Sequence, residues 1–107
     1  MDELPRSNGQ EFAVLELLAG GREKYGLEMV KLEPKRLGRA SIYVVLTRMV
    51  ARGMLEDRLE TDAEQKTRGP KRRLYKITGY GLKIYRARMA ADAAIAKAMQ
   101  GAEEPIR

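Results

Sequence analysis

The stretch RASIYVVLTRMVARGMLEDRLE, residues 39–60, decides the fold. Ile42, Val45, Leu46 and Met49 recur at the spacing of one helical stripe, and Gly53 stands where a glycine closes a helix. The spacing predicts a helix from Arg39 to Arg52. Its other face carries Ala40, Val44, Thr47, Arg48 and Ala51, with Ser41 and Arg52 on one flank and Tyr43 on the other. That face is small, basic and free of acids, so a helix presenting it can sink into a groove.

Downstream, Met54 to Glu60 and Arg72 to Thr78 read as two short strands carrying Leu55, Leu59, Leu74, Tyr75 and Ile77. The polar run Thr61 to Lys71, with Gly69-Pro70 as its turn signal, joins them into a β-hairpin. Lys66, Arg68, Lys71, Arg72 and Arg73 cluster at its tip and returning arm, where flexible cations can reach phosphates. Thr78 then caps a long last helix, from about Gly79 to Gln100. Leu82, Tyr85, Met89, Ala93 and Ala96 form one apolar stripe on it, with Ile84, Ala91 and Ile95 to the side. So small a domain has nothing of its own to cover the distal half, which predicts a homodimer interface along that stripe.

Upstream, Ser7 and Asn8 are good N-caps with Gln10 and Glu11 in capping-box register, and Phe12, Leu15 and Leu18 follow at helical spacing. A first helix is expected over residues 9–19, ended by Gly20-Gly21, and a second from Tyr25 to Leu32, stopped by Pro34. The expected division is a flexible segment 1–8, a folded domain 9–78, a dimerisation helix 79–101 and a flexible tail 102–107. The order helix, helix, helix, hairpin, helix is that of a winged helix-turn-helix, an α+β fold that is mostly α, with three helices and a two-stranded wing before the last helix. In that arrangement the third helix enters the DNA major groove and the wing lies over the adjacent backbone.

Composition narrows the function. The 107 residues include no His, Cys or Trp, which removes histidine bases, thiolate nucleophiles, disulfides and Cys/His metal sites. No metal or cofactor is expected, and no enzyme. Glu56, Asp57 and Glu60 are the densest acids, and no phosphate loop or metal spacing accompanies them. The formal charge is +6, with no acid between Glu33 and Glu56 or between Glu64 and Asp92, so an electrically polarised molecule with a polyanionic partner is expected. The N-terminus opens on acids where a signal peptide has bases, and the longest mid-chain apolar run is Ile42 to Leu46, so the expectation is a cytoplasmic protein away from membranes.

Four segments carry a family resemblance: Val14-Leu15-Glu16-Leu17-Leu18; Tyr25-Gly26-Leu27-Glu28; Ser41-Ile42-Tyr43 with Leu46, Met49 and Gly53-Met54-Leu55; and Arg72-Arg73-Leu74-Tyr75-Lys76-Ile77-Thr78 with Gly81. In order and spacing the chain resembles a small PadR-type transcriptional regulator with a single C-terminal helix. The resemblance implies a dimeric repressor that binds a pseudo-palindromic operator in double-stranded DNA. It places Ser41, Tyr43, Thr47 and Arg48 at the DNA, and Arg72 and Arg73 on phosphates. Arg39, Ala40, Val44 and Arg52 complete the expected recognition surface, with Ala40 where glycine is commoner in the family. Some relatives hold flat aromatic effectors with Trp at the dimer interface; this chain has none, so a small aromatic effector stays an open partner. The alternative from another class is a winged helix used as a protein-interaction module, for which Ala40, Val44 and Ala51 give an apolar patch and against which the acid-free basic surfaces argue.

Overall fold

A computed structural model describes the backbone of residues 3–102 and the side chains of residues 9–101. In chain order the elements are α1 (Glu3–Leu18), β1 (Lys24–Tyr25), α2 (Gly26–Leu32), α3 (Ile42–Ala51), β2 (Leu55–Leu59), β3 (Arg73–Ile77) and α4 (Gly79–Ala102). The apolar stripes meet where their spacing requires. Val14 and Leu18 of α1, Met29 of α2, and Ile42, Leu46 and Met49 of α3 are fully enclosed, with Met54, Leu55, Tyr75 and Ile77 closing the core from the sheet side. Each such side chain contributes roughly 1.5–3 kcal/mol by leaving water.

Gly53 closes α3 in the left-handed conformation, at φ 80°. The Gly53 N–H donates to the Val50 carbonyl and the Met54 N–H to the Met49 carbonyl, both at 2.9 Å, the paired bonds of a glycine-terminated helix. The chain leaves that turn directly into β2. At the other end of the hairpin the Thr78 hydroxyl accepts the Gly81 N–H at 3.0 Å and donates to the Gly53 carbonyl at 2.6 Å, capping α4 as the sequence implies and tying it to the end of α3.

The sheet has three antiparallel strands in the order β1-β3-β2, one more than the expected two-stranded wing. Lys24 and Tyr25 pair with Tyr75 and Leu74, a strand created by its partner and too short to show any alternation. Helix α1 also differs. It takes in residues 3–8, assigned by sequence to a flexible segment before the helix, so Ser7 and Asn8 lie within it instead of capping it. Pro5 falls in the first turn, where a missing N–H costs no helical bond, so it does not stop the helix there. The expected tail lies outside the described residues, except for Ala102, which ends α4.

The first turns of α4 pack on α1. The rings of Phe12 and Tyr85 stack at 5.4 Å between centroids, and Leu82 and Ile84 lean on the core beside them. Leu82 and Tyr85 of the expected dimer stripe are therefore partly buried within the chain itself. From Met89 to Gly101 the residues of the helix are exposed. The molecule is elongated, with principal extents of 68 × 27 × 23 Å.

Candidate nucleic-acid interface

The outward face of α3 is as the periodicity implies. Tyr43 and Val44 are 47% and 53% exposed, and Thr47, Arg48 and Ala51 are exposed with them. The helix begins at Ile42, three residues later than expected, so Arg39 and Ala40 sit in the turn that leads into it. That turn is closed by the Ser41 and Ile42 N–H groups, which both donate to the Gly38 carbonyl. The Ser41 side chain makes no cap bond; its hydroxyl oxygen accepts the Gln10 side-chain amide at 3.4 Å. Tyr43 lies over Gly26, where a Cβ would stand 2.8 Å from its ring, so the glycine lets α2 approach α3 closely. Arg52 does not join this face as a free cation: its guanidinium donates to Glu11 of α1 at 3.0 Å.

The wing departs from expectation in its charge. An antiparallel hairpin folds its acidic outgoing arm onto its basic returning arm, with Glu56 opposite Lys76 and Asp57 opposite Tyr75. Arg73 consequently pairs with Asp57 at 3.2 Å, Lys71 with Asp62 at 2.6 Å, and Arg72 lies 3.7 Å from Glu60. The segregation of charge along the chain is thus partly cancelled in space. Among the described residues, Arg39 and Arg48 on the α3 side and Lys66 and Arg68 near the tip form no ion pair.

Nor is the start of the wing loose. Arg58 donates from Nε and Nη2 to Glu23 at 2.8 Å each, and from Nη1 and Nη2 to Glu64 at 2.9 and 2.8 Å. Glu64 also accepts the Thr61 N–H at 2.8 Å and returns its own N–H to the Thr61 hydroxyl. The Arg58 bonds, followed by the Thr61 N–H, hold the Glu64 carboxyl down at about 2. Glu23 is lowered by the same guanidinium, and Arg58 is raised by both partners. Sequence reading missed this clamp because Glu23 and Arg58 are 35 residues apart. The Thr61-x-x-Glu64 spacing, a capping signature, was its one local signal.

Between α2, the turn before α3 and the wing lies an open cleft of about 960 Å³. Tyr25, Leu27, Val30, Tyr43 and Pro70 give it apolar walls, and Lys31, Arg39, Lys71, Arg72 and Arg73 line it with positive charge. Glu28 is the one acid in that lining, and its carboxylate is engaged by the Tyr25 N–H at 3.1 Å. A second hollow, lined by Phe12, Leu15, Met54 and Ile84 between α1 and α4, has about 230 Å³, less than the ~300 Å³ at which ligand pockets for drug-sized molecules begin. Among the described residues there is no cluster of three or more acids that could hold a metal, and no helix is long and apolar enough to cross a membrane.

An outward-facing helix after a short partner helix, with a sheet-borne wing beside it, defines a winged helix-turn-helix protein. The family model described as the transcriptional regulator PadR-like family matches residues 14–87, and the chain belongs to that family. All four resembling segments fall inside the match. Among solved structures, a PadR-like transcription factor from Bacteroides fragilis is similar with a TM-score of 0.79 and 20% identity, over 94% of this chain and 95% of that one. A PadR-like transcriptional regulator from Bacillus cereus is similar at 0.69 and 22%, over 99% and 100%. Bacillus subtilis PadR in complex with operator DNA is similar at 0.64 and 20%, over 74% of this chain and 45% of that longer one. At these identities the likeness is one of fold. No curated protein matches the chain.

Proposed function

We propose that this protein is a sequence-specific double-stranded DNA-binding transcriptional regulator that acts as a dimeric repressor. The observation that carries the reading is the acid-free outer face of α3, with Arg39 and Arg48 unpaired among the described residues, flanked by the cation-lined cleft. The fold is shared with a PadR solved on its operator, which supports the same docking here. Arg48 reads guanine through the two hydrogen bonds its guanidinium can donate to O6 and N7, while Val44 and Thr47 meet thymine methyls. Arg39, Lys66 and Arg68 take phosphates. A second copy packs on the uncovered part of α4, along Met89, Ala93 and Ala96, and sets the two α3 helices ~34 Å apart on a pseudo-palindrome. Bound there, the dimer blocks transcription.

The test is fluorescence anisotropy against the chain's own upstream DNA and a scrambled duplex across a salt series. Preferential, steeply salt-dependent binding to the upstream duplex is the expected result. Arg48→Ala is then expected to lose about 1–3 kcal/mol of discrimination at one base position. Absence of binding to either duplex at low salt overturns the reading in favour of a protein-interaction module, for which the exposed Val44 and Tyr43 would form the contact.

A further inference from the structure

Glu60 is the single buried charged residue among the described residues, at 2% exposure, and it sits where β2 passes into the wing loop. Its Oε2 accepts the Arg72 N–H at 2.8 Å and its Oε1 accepts the Tyr25 hydroxyl at 3.2 Å. Its own N–H donates to the Arg72 carbonyl at 2.8 Å. The Arg72 guanidinium in turn lies 4.1 Å above the centre of the Tyr25 ring, with Nε 3.7 Å from Glu60 Oε2.

A carboxylate taken out of water is costly, whereas an apolar side chain would fill the same space but leave the Arg72 N–H and the Tyr25 hydroxyl without this acceptor. Beyond those two hydrogen bonds, the carboxylate places a negative charge beside the Arg72 guanidinium. The guanidinium is fixed by a ring below and an anion at Nε, while its two terminal nitrogens make no hydrogen bond among the described residues and the side chain is half exposed on the cleft. That is the free edge of a fork suited to two phosphate oxygens. Arg73 and Lys71 differ: they are tied to partly or fully exposed carboxylates and would have to leave them.

We propose that Glu60 is a positioning residue, which with the Tyr25 ring sets Arg72 in advance as a two-pronged contact for the DNA backbone. This rests on the DNA-binding reading above and assigns a role within it. Rotamer freedom lost on folding is not lost again on binding, so the contact is stronger than that of an unrestrained arginine.

Glu60→Gln separates positioning from charge. The glutamine can keep both contacts, since its carbonyl accepts the Arg72 N–H and the Tyr25 hydroxyl can turn to accept its amide, but the anion at Nε is gone. Removing a negative charge buried beneath a DNA-facing surface should by itself tighten binding, whereas releasing Arg72 should weaken it. The probe is a fluorescein-labelled duplex of the upstream sequence, titrated across a potassium chloride series. The expected result is binding weakened about five-fold, the cost of ordering one long side chain on binding, and the same for Tyr25→Leu, which removes the platform. In the free protein, Arg72 side-chain protons shielded by the Tyr25 ring are expected upfield in NMR spectra and should return to unshielded positions in Glu60→Gln. Equal or tighter duplex binding by Glu60→Gln, or Arg72 protons that stay shielded in it, overturns the proposal while leaving the functional reading intact. A wild type that binds no duplex overturns that reading, and the proposal with it.

Discussion

Gly81 shows how much one residue can carry. A Cβ there would collide with the Met54 carbonyl oxygen and press on Ile77, because the first turn of α4 packs against the backbone where α3 passes into β2. Backbone cannot swing aside as a side chain can, so Gly81→Ala is expected to cost about 2 kcal/mol or more, read as a lower denaturant midpoint. The sequence marks Gly81 as part of a family motif; only the packing explains it. Ile42, Val45, Leu46 and Met49 are the opposite case, all buried as their spacing implies, since on a helix the spacing alone decides which side chains share a face. Glu60 was legible only as one of a group of acids, and its burial comes from Tyr25 and Arg72, distant in sequence and adjacent in the sheet.

At the scale of elements, the hairpin was readable and its electrostatics were not. Its two arms fall within a residue of their expected ends, but the register that pairs Asp57 and Glu60 with the basic arm follows from the antiparallel turn. Charge that looks segregated along the chain is therefore partly paired across it. The Arg58 clamp gives the wing a pH dependence. Glu64 is depressed from 4.5 to about 2, so the stabilisation it lends is complete above about 4.5 and is lost as the pH falls towards 2. Its exposure to solvent keeps that contribution modest. The expected outcome is a Glu64 carboxyl NMR titration near 2, with amide protection of the wing declining below about pH 4.5 at constant core protection. A titration at the ordinary glutamate position would show that the clamp does not persist in solution.

Over the whole molecule, α4 extends past the domain it caps. Met89, Ile95 and Met99 are 46%, 57% and 60% exposed, an apolar surface that a second copy would cover. Met89→Glu combined with Ala93→Glu is expected to leave the fold within about 0.5 kcal/mol, because both side chains stand in solvent. The same pair should shift sedimentation towards the 12.1 kDa chain. Unchanged sedimentation of a wild-type dimer would move the interface elsewhere.

Without setting where α1 and α3 begin, local pattern in the sequence determined the order of the helices and the apolar stripe of each, where glycine and threonine close and open α3 and α4, and which face of α3 stays clear of acids. These depend on residues within a turn or two of one another. Tertiary structure alone decided that Lys24 and Tyr25 form a strand, that Tyr85 stacks on Phe12 of α1, that Arg52 turns to Glu11, and which wing cations stay free of partners among the described residues. Each of those depends on which distant residue arrives opposite, and that is fixed by how the elements pack.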